Sequence, residues 1–172
     1  MNIWIMRHGE AGFNAQTDQQ RSLTKKGYKM VFTQGQWLAK RLEEQKIKLD
    51  RVIVSPYLRT QQTFSELLEG MKAVSSQIFF TNEQVENWQG ITPSGDINNV
   101  INYINFLHTD KNVQNILIIS HLPLVFDLVR TLTQHKNFVH FYPAVIAEVS
   151  LLGNDNLELE DGILTNTQAP NL

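Results

Sequence analysis

Three short apolar runs, Ile3-Trp4-Ile5-Met6, Val52-Ile53-Val54 and Ile116-Leu117-Ile118-Ile119, stand out from a more polar background. Short continuous runs bounded by turn residues read as strands buried on both faces of a parallel sheet. Between them the apolar positions change period. Tyr28, Val31, Phe32, Leu38, Ala39 and Leu42 follow helical spacing behind Thr24, a suitable N-cap, and predict a helix to about Gln45. Strand Arg51–Val54 leads into a helix from about Tyr57 to Glu69, with Phe64, Leu67, Leu68 and Met71 on its inner side. Gln77–Thr81 reads as a third strand, followed by a polar loop holding Trp88, Gly90, Pro93 and Gly95. Asp96 then caps a helix through Val100, Ile101, Ile104 and Leu107. Strand Asn115–Ser120 follows, then a helix opening at Pro123, where a missing N–H costs nothing.

Val145–Leu152 and Leu157–Glu160, joined across Gly153-Asn154-Asp155-Asn156, resemble a closing hairpin, and the last eight residues read as a loose polar tail. Strands alternating with helices predict a single α/β domain over residues 1–172, three layers α/β/α around a mostly parallel mixed sheet.

Composition narrows the function. The 15 Lys and Arg against 17 Asp and Glu leave a net charge of −2, which argues against binding nucleic acid through a broad basic surface. The chain has no cysteine, so thiol catalysis, disulfides and thiolate metal sites are out. No run reaches the ~18 apolar residues of a membrane span. The start of the chain lacks the layout of a signal peptide, so a cytoplasmic protein acting as a monomer is the expectation.

The candidate chemistry lies where the apolar runs end. The first runs into Arg7-His8-Gly9, the second into Ser55-Pro56-Tyr57-Leu58-Arg59, the third into Ser120-His121. Ligands of open α/β sheets bind beyond the carboxyl ends of the strands, so two histidines and two arginines are expected to gather at one edge. A neutral imidazole is a competent nucleophile toward phosphorus, and guanidinium forks match phosphate oxygens two at a time. His8 is favoured as nucleophile because Gly9 beside it would let a phosphate approach closely, with Arg7 and Arg59 as clamps. His121 is expected to donate to an oxygen in the transition state. Arg21 is either a third cation or a surface charge.

Four ordered blocks resemble the histidine phosphatase (phosphoglycerate-mutase-like) superfamily, and within it the small bacterial SixA-type phosphohistidine phosphatases. They are Arg7-His8-Gly9; Arg21-Ser22-Leu23-Thr24 with Gly27; Ser55-Pro56-Tyr57-Leu58-Arg59-Thr60 with Gln62-Thr63; and Ser120-His121-Leu122-Pro123-Leu124. The resemblance implies a phosphoglycerate-mutase-like fold and a covalent phosphohistidine intermediate on His8. It implies phosphate release by water, no metal or other cofactor, and a phosphorylated histidine-containing phosphotransfer protein as substrate. Two departures stand out: Ser22 replaces a proline usual in relatives, and Gly90-Ile91-Thr92-Pro93 lacks an acid that relatives often carry there. That leaves Glu10, Asp18, Glu83 and Glu86 as the carboxylates to consider for a proton donor. Competing readings are a small-molecule phosphomonoesterase using the same His8, a phosphohistidine-binding module without turnover, and a metallohydrolase built on His8 and His121.

Elsewhere the bland reading is preferred. Lys25, Lys26 and Lys29, and the group Lys40, Arg41, Lys46 and Lys48, read as solvated helix faces. His108, His135 and His140 lack metal-ligand spacing. Trp4 and Trp37 fit the core, whereas Trp88 is either a loop anchor or a substrate contact.

Overall fold

The computed structural model describes residues 1–151 and 161–171. Its centre is a six-stranded sheet in the order β3-β2-β4-β1-β5-β6. The strands are β1 Asn2–Arg7, β2 Arg51–Val54, β3 Val85–Asn87, β4 Asn115–Ser120, β5 Ile146–Leu151 and β6 Gly162–Gln168. The first four run parallel, β5 joins β1 antiparallel, and β6 joins β5 antiparallel. Within β1, Ile3 and Ile5 enter one core while Trp4 and Met6 enter the other, the two-residue alternation of a strand. Both sets are apolar, so both sheet faces need cover. Helices α1 (Lys25–Gln45) and α2 (Leu58–Val74) cover the Trp4 face; α3 (Ile97–Lys111) and α4 (Leu124–Leu132) cover the Ile3 face. This is the three-layer mixed-sheet architecture expected.

The helix starts follow their capping residues. Thr24 Oγ1 accepts the Gly27 N–H at 3.0 Å, and Asp96 accepts from Asn98 and Asn99. Where α1 crosses α2 the backbones touch. A Cβ on Gly35 would overlap the Leu67 carbonyl, and one on Gly70 the Phe32 carbonyl.

Four expectations need correction. The third strand is Val85–Asn87, not Gln77–Thr81: Val52 pairs with Val85, while Ile78 and Phe80 pack against the α1–α2 side without joining the ladder. Helix α2 runs past Glu69 to Val74, because Met71 continues its buried stripe. The last eight residues are not all loose, since Thr165–Gln168 complete β6 against β5. The arm placed at Leu157–Glu160 lies outside the described residues, and the pairing arm begins at Gly162.

Arg41 is the fourth correction, because it does not belong to a solvated face. Its Nε and Nη2 donate to the Glu148 carboxylate at 3.2 and 3.0 Å. Trp4 Nε1, Gln45 Nε2 and Thr165 Oγ1 donate to the same group. Burial alone would raise the Glu148 pKa, but the bonds from Arg41, Thr165 and Gln45 outweigh it and hold the carboxyl below the usual range. The cluster ties α1 to β1, β5 and β6. Among the described residues, no helix is long and apolar enough to cross a membrane.

Candidate active site

Strands β2, β4 and β1 are neighbours pointing one way, so their carboxyl ends open on the same edge. Arg7 pairs with Ser120 across the β1–β4 ladder, and the next residue of each strand is a histidine. Neighbouring strands lie about 4.8 Å apart. The rings of His8 and His121 accordingly leave the sheet side by side, centroids 5.3 Å apart. Ser55 comes off β2 with its N–H on the Ile119 carbonyl, and its hydroxyl lies 2.7 Å from His121 Nε2. Arg59, in the first turn of α2, reaches back to His8. Its Nε lies 3.3 Å from His8 Nε2.

The His8 ring is 6 % exposed. Its Nδ1 lies 2.7 Å from the Gly9 carbonyl, which can only accept, so the proton sits on Nδ1 and Nε2 keeps its lone pair. Burial, then the Arg59, Arg7 and Arg21 charges, pushes His8 down to about 3 against the opposing Gly9 bond. Burial, then His8 and Arg59, takes His121 to about 3 as well. Both imidazoles are therefore neutral at physiological pH.

A consequence for stability follows. Above the ordinary histidine value of 6.5, folded and unfolded chains carry the same protons on these rings. Below it the unfolded chain takes up protons that the fold refuses until about pH 3. Stability is thus full above 6.5 and lost as the pH falls toward the folded values, by up to about 2.7 kcal/mol per pH unit for two groups. Urea unfolding from about pH 7 to about pH 5, ahead of most carboxylates, should show a falling midpoint. His121→Gln should halve the slope; an unchanged slope would mean that the buried ring is already charged.

Three guanidiniums face this pocket. Arg59, 3 % exposed, donates Nη1 to the Asp18 carbonyl at 2.7 Å and Nη2 to Asp18 Oδ2 at 3.2 Å. Arg21 donates Nη1 to Asp18 Oδ1 at 3.1 Å and Nε to the Gly12 carbonyl, and its guanidinium stacks on Phe13. It therefore joins the cluster through Asp18. Arg7 donates Nη1 to the Phe141 carbonyl at 2.8 Å, while its Nε is buried without a partner among the described residues.

Gly9 packs closely beneath α1. Its N–H donates to Thr63 Oγ1, and a Cβ there would press on Val31 and the Gly27 carbonyl. The missing side chain lets α1 approach. Trp88 is the loop anchor: it stacks on Tyr103, centroids 4.5 Å apart.

The four carboxylates considered as proton donors are accounted for one by one. Glu10 accepts from Thr24 Oγ1, Glu86 accepts from Tyr103, and Asp18 is held by two arginines. Glu83 precedes β3 and so lies beyond the opposite end of the sheet. Burial opposes, yet the Arg21 and Arg59 contacts hold Asp18 below the usual carboxylate range. Sequence reasoning missed Asp18 as the arginine partner, Ser55 beside His121, and Thr63 beneath Gly9. Only Thr63 left a direct signal, one helical turn from Arg59.

A family model described as the histidine phosphatase superfamily (branch 1) matches residues 3–116. The phosphohistidine phosphatase SixA homolog of Haemophilus influenzae is 44% identical over 155 residues, 90% of each chain. Phosphohistidine phosphatase SixA of Escherichia coli is 36% identical over 151 residues, 88% of this chain and 86% of its own. A solved structure of the protein histidine phosphatase SixA complexed with tungstate has a TM-score of 0.81 at 33% identity, covering 99% of this chain and 97% of the other.

Proposed function

Because the chain belongs to the histidine phosphatase superfamily, we propose that it is a phosphohistidine phosphatase with His8 as nucleophile and a histidine-containing phosphotransfer protein as substrate. The observation that carries the choice of substrate is that none of the four carboxylates is free to act as an acid beside His8. Glu10 and Glu86 accept from Thr24 and Tyr103, Asp18 is tied to Arg21 and Arg59, and Glu83 precedes β3 at the far end of the sheet. An alkoxide leaving group needs a proton from an acid, help worth roughly 10²–10⁴-fold. An imidazole leaves more readily, and transfer from one imidazole to another exchanges like bonds.

The reaction follows from the tautomer. His8 Nε2 attacks phosphorus as the bond to the substrate's ring nitrogen breaks, and the substrate ring, protonated on its other nitrogen, departs as neutral imidazole. Nδ1 keeps its proton on the Gly9 carbonyl, so the phosphorylated ring carries positive charge. Water then takes the phosphoryl group, Nε2 departs as neutral imidazole, and both water protons leave with the phosphate. Arg7, Arg21 and Arg59 supply charge to the phosphoryl oxygens, and His121 supplies a neutral donor.

A protein substrate is supported by the rim. Phe13, Leu58, Leu122 and Tyr142 are all exposed. Phe13 lies under Arg21, Leu58 precedes Arg59, Leu122 follows His121, and Tyr142 follows the Phe141 carbonyl that holds Arg7. An apolar collar around a recessed charged pocket suits a macromolecular surface better than a sugar phosphate.

The test compares kcat/KM for a phosphohistidine-bearing phosphotransfer domain with that for sugar phosphates. A preference of at least about 100-fold is expected, the low end of what a general acid supplies. Chelator should change neither rate. Equal or better turnover of a sugar phosphate would transfer the assignment to the phosphomonoesterase reading.

A further inference from the structure

Asp18 stands where a pocket for anions would not be expected to hold one of its own. It opens a single 3-10 turn, Asp18–Gln20, in the loop between β1 and α1. One carboxylate oxygen takes Arg21 Nη1, the other takes Arg59 Nη2, and its carbonyl takes Arg59 Nη1. With Nε on His8, all three nitrogens of Arg59 are engaged. A carboxylate spread across two guanidiniums presents the same paired oxygens as a phosphate. Yet its side chain is 53% exposed, so it can swing into water when displaced. The carbonyl bond, being backbone, remains to anchor the fork.

We propose that Asp18 is a positioning residue that acts as an internal counter-anion: it aligns Arg59 and Arg21 in the resting site and yields them to phosphoryl oxygens when substrate binds. Its competition weakens the hold on every oxyanion alike. Free phosphate, the product, has no protein body to add docking contacts, so it is the species most easily expelled. The inference rests on the reading of this cluster as a phosphoryl site.

The experiment measures inorganic phosphate and tungstate binding by calorimetry to the wild type, Asp18→Asn and Asp18→Ala, with Arg59→Ala as control. Both Asp18 variants should bind the oxyanions about tenfold more tightly, the effect of removing one charged competitor for two forked donors. Inhibition by phosphate should strengthen to match, with KM falling and kcat falling as release slows. A residue that only braced the loop would shift affinity the other way. Unchanged or weaker oxyanion binding in both variants, with their thermal unfolding intact, would overturn the proposal while leaving the site assignment standing. Wild-type binding that is absent, or indifferent to Arg59→Ala, would overturn both.

Discussion

His8→Ala is expected to lower turnover by roughly 10⁴- to 10⁶-fold, the scale seen when a covalent nucleophile is removed. The loss is large because nothing beside it can substitute. The His121 ring is 5.3 Å away, centroid to centroid, and its Nε2 is engaged with the Ser55 hydroxyl. In the wild type, acid-labile label from a phosphorylated partner should appear transiently on His8, on Nε2, since Nδ1 is bonded to the Gly9 carbonyl. Rapid quench followed by isomer-specific detection reads this directly. A His8→Ala enzyme working at the normal rate, or label on another residue, would remove the nucleophile from the mechanism.

The second large effect is at His121. Its Nδ1 is buried with no partner among the described residues, leaving a polar atom that no protein group engages. If the Ser55 hydroxyl donates to Nε2, the ring's proton sits on Nδ1, a neutral donor ready for a phosphoryl oxygen as its charge builds. His121→Ala should therefore cut kcat by roughly 10²–10³-fold, ~2.7–4 kcal/mol of barrier, with little change in KM. Ser55→Ala should cost about tenfold, because it frees the tautomer without deleting the ring. Single-turnover rates separate the two. A His121→Ala variant with wild-type kcat would reduce the ring to packing.

What the sequence made legible was whatever depends on local pattern. Strands β1, β2 and β4 are buried on both faces, so each appears as an unbroken apolar run, and the residues that follow them mark the candidate site. Strand β3 was misplaced because it is a three-residue edge strand, Val85-Glu86-Asn87, whose middle residue is a carboxylate bonded to Tyr103. Ile78-Phe79-Phe80 imitates a strand more convincingly, although Phe79 is exposed and none of the three enters the ladder. β6 was lost for the opposite reason: every second residue faces solvent, and its polar C-terminal half resembles a tail. The Glu148 cluster and the Asp18 bridge join residues far apart in the chain or held in a loop, and neither periodicity nor spacing encodes such pairings. The bond from the Gly9 N–H to Thr63 is a tertiary fact of the same kind.

The backbone contact between Gly35 and Gly70 reaches beyond packing. No side chain at either position touches the pocket, yet the second sits on the helix that carries Arg59. An added methyl at either position overlaps a backbone carbonyl of the facing helix, so α1 and α2 must separate there to admit it. In a survey of tolerated substitutions these two positions should look as constrained as the reacting residues themselves, and a search that ranked sites by intolerance alone would mistake a hinge-free joint for chemistry.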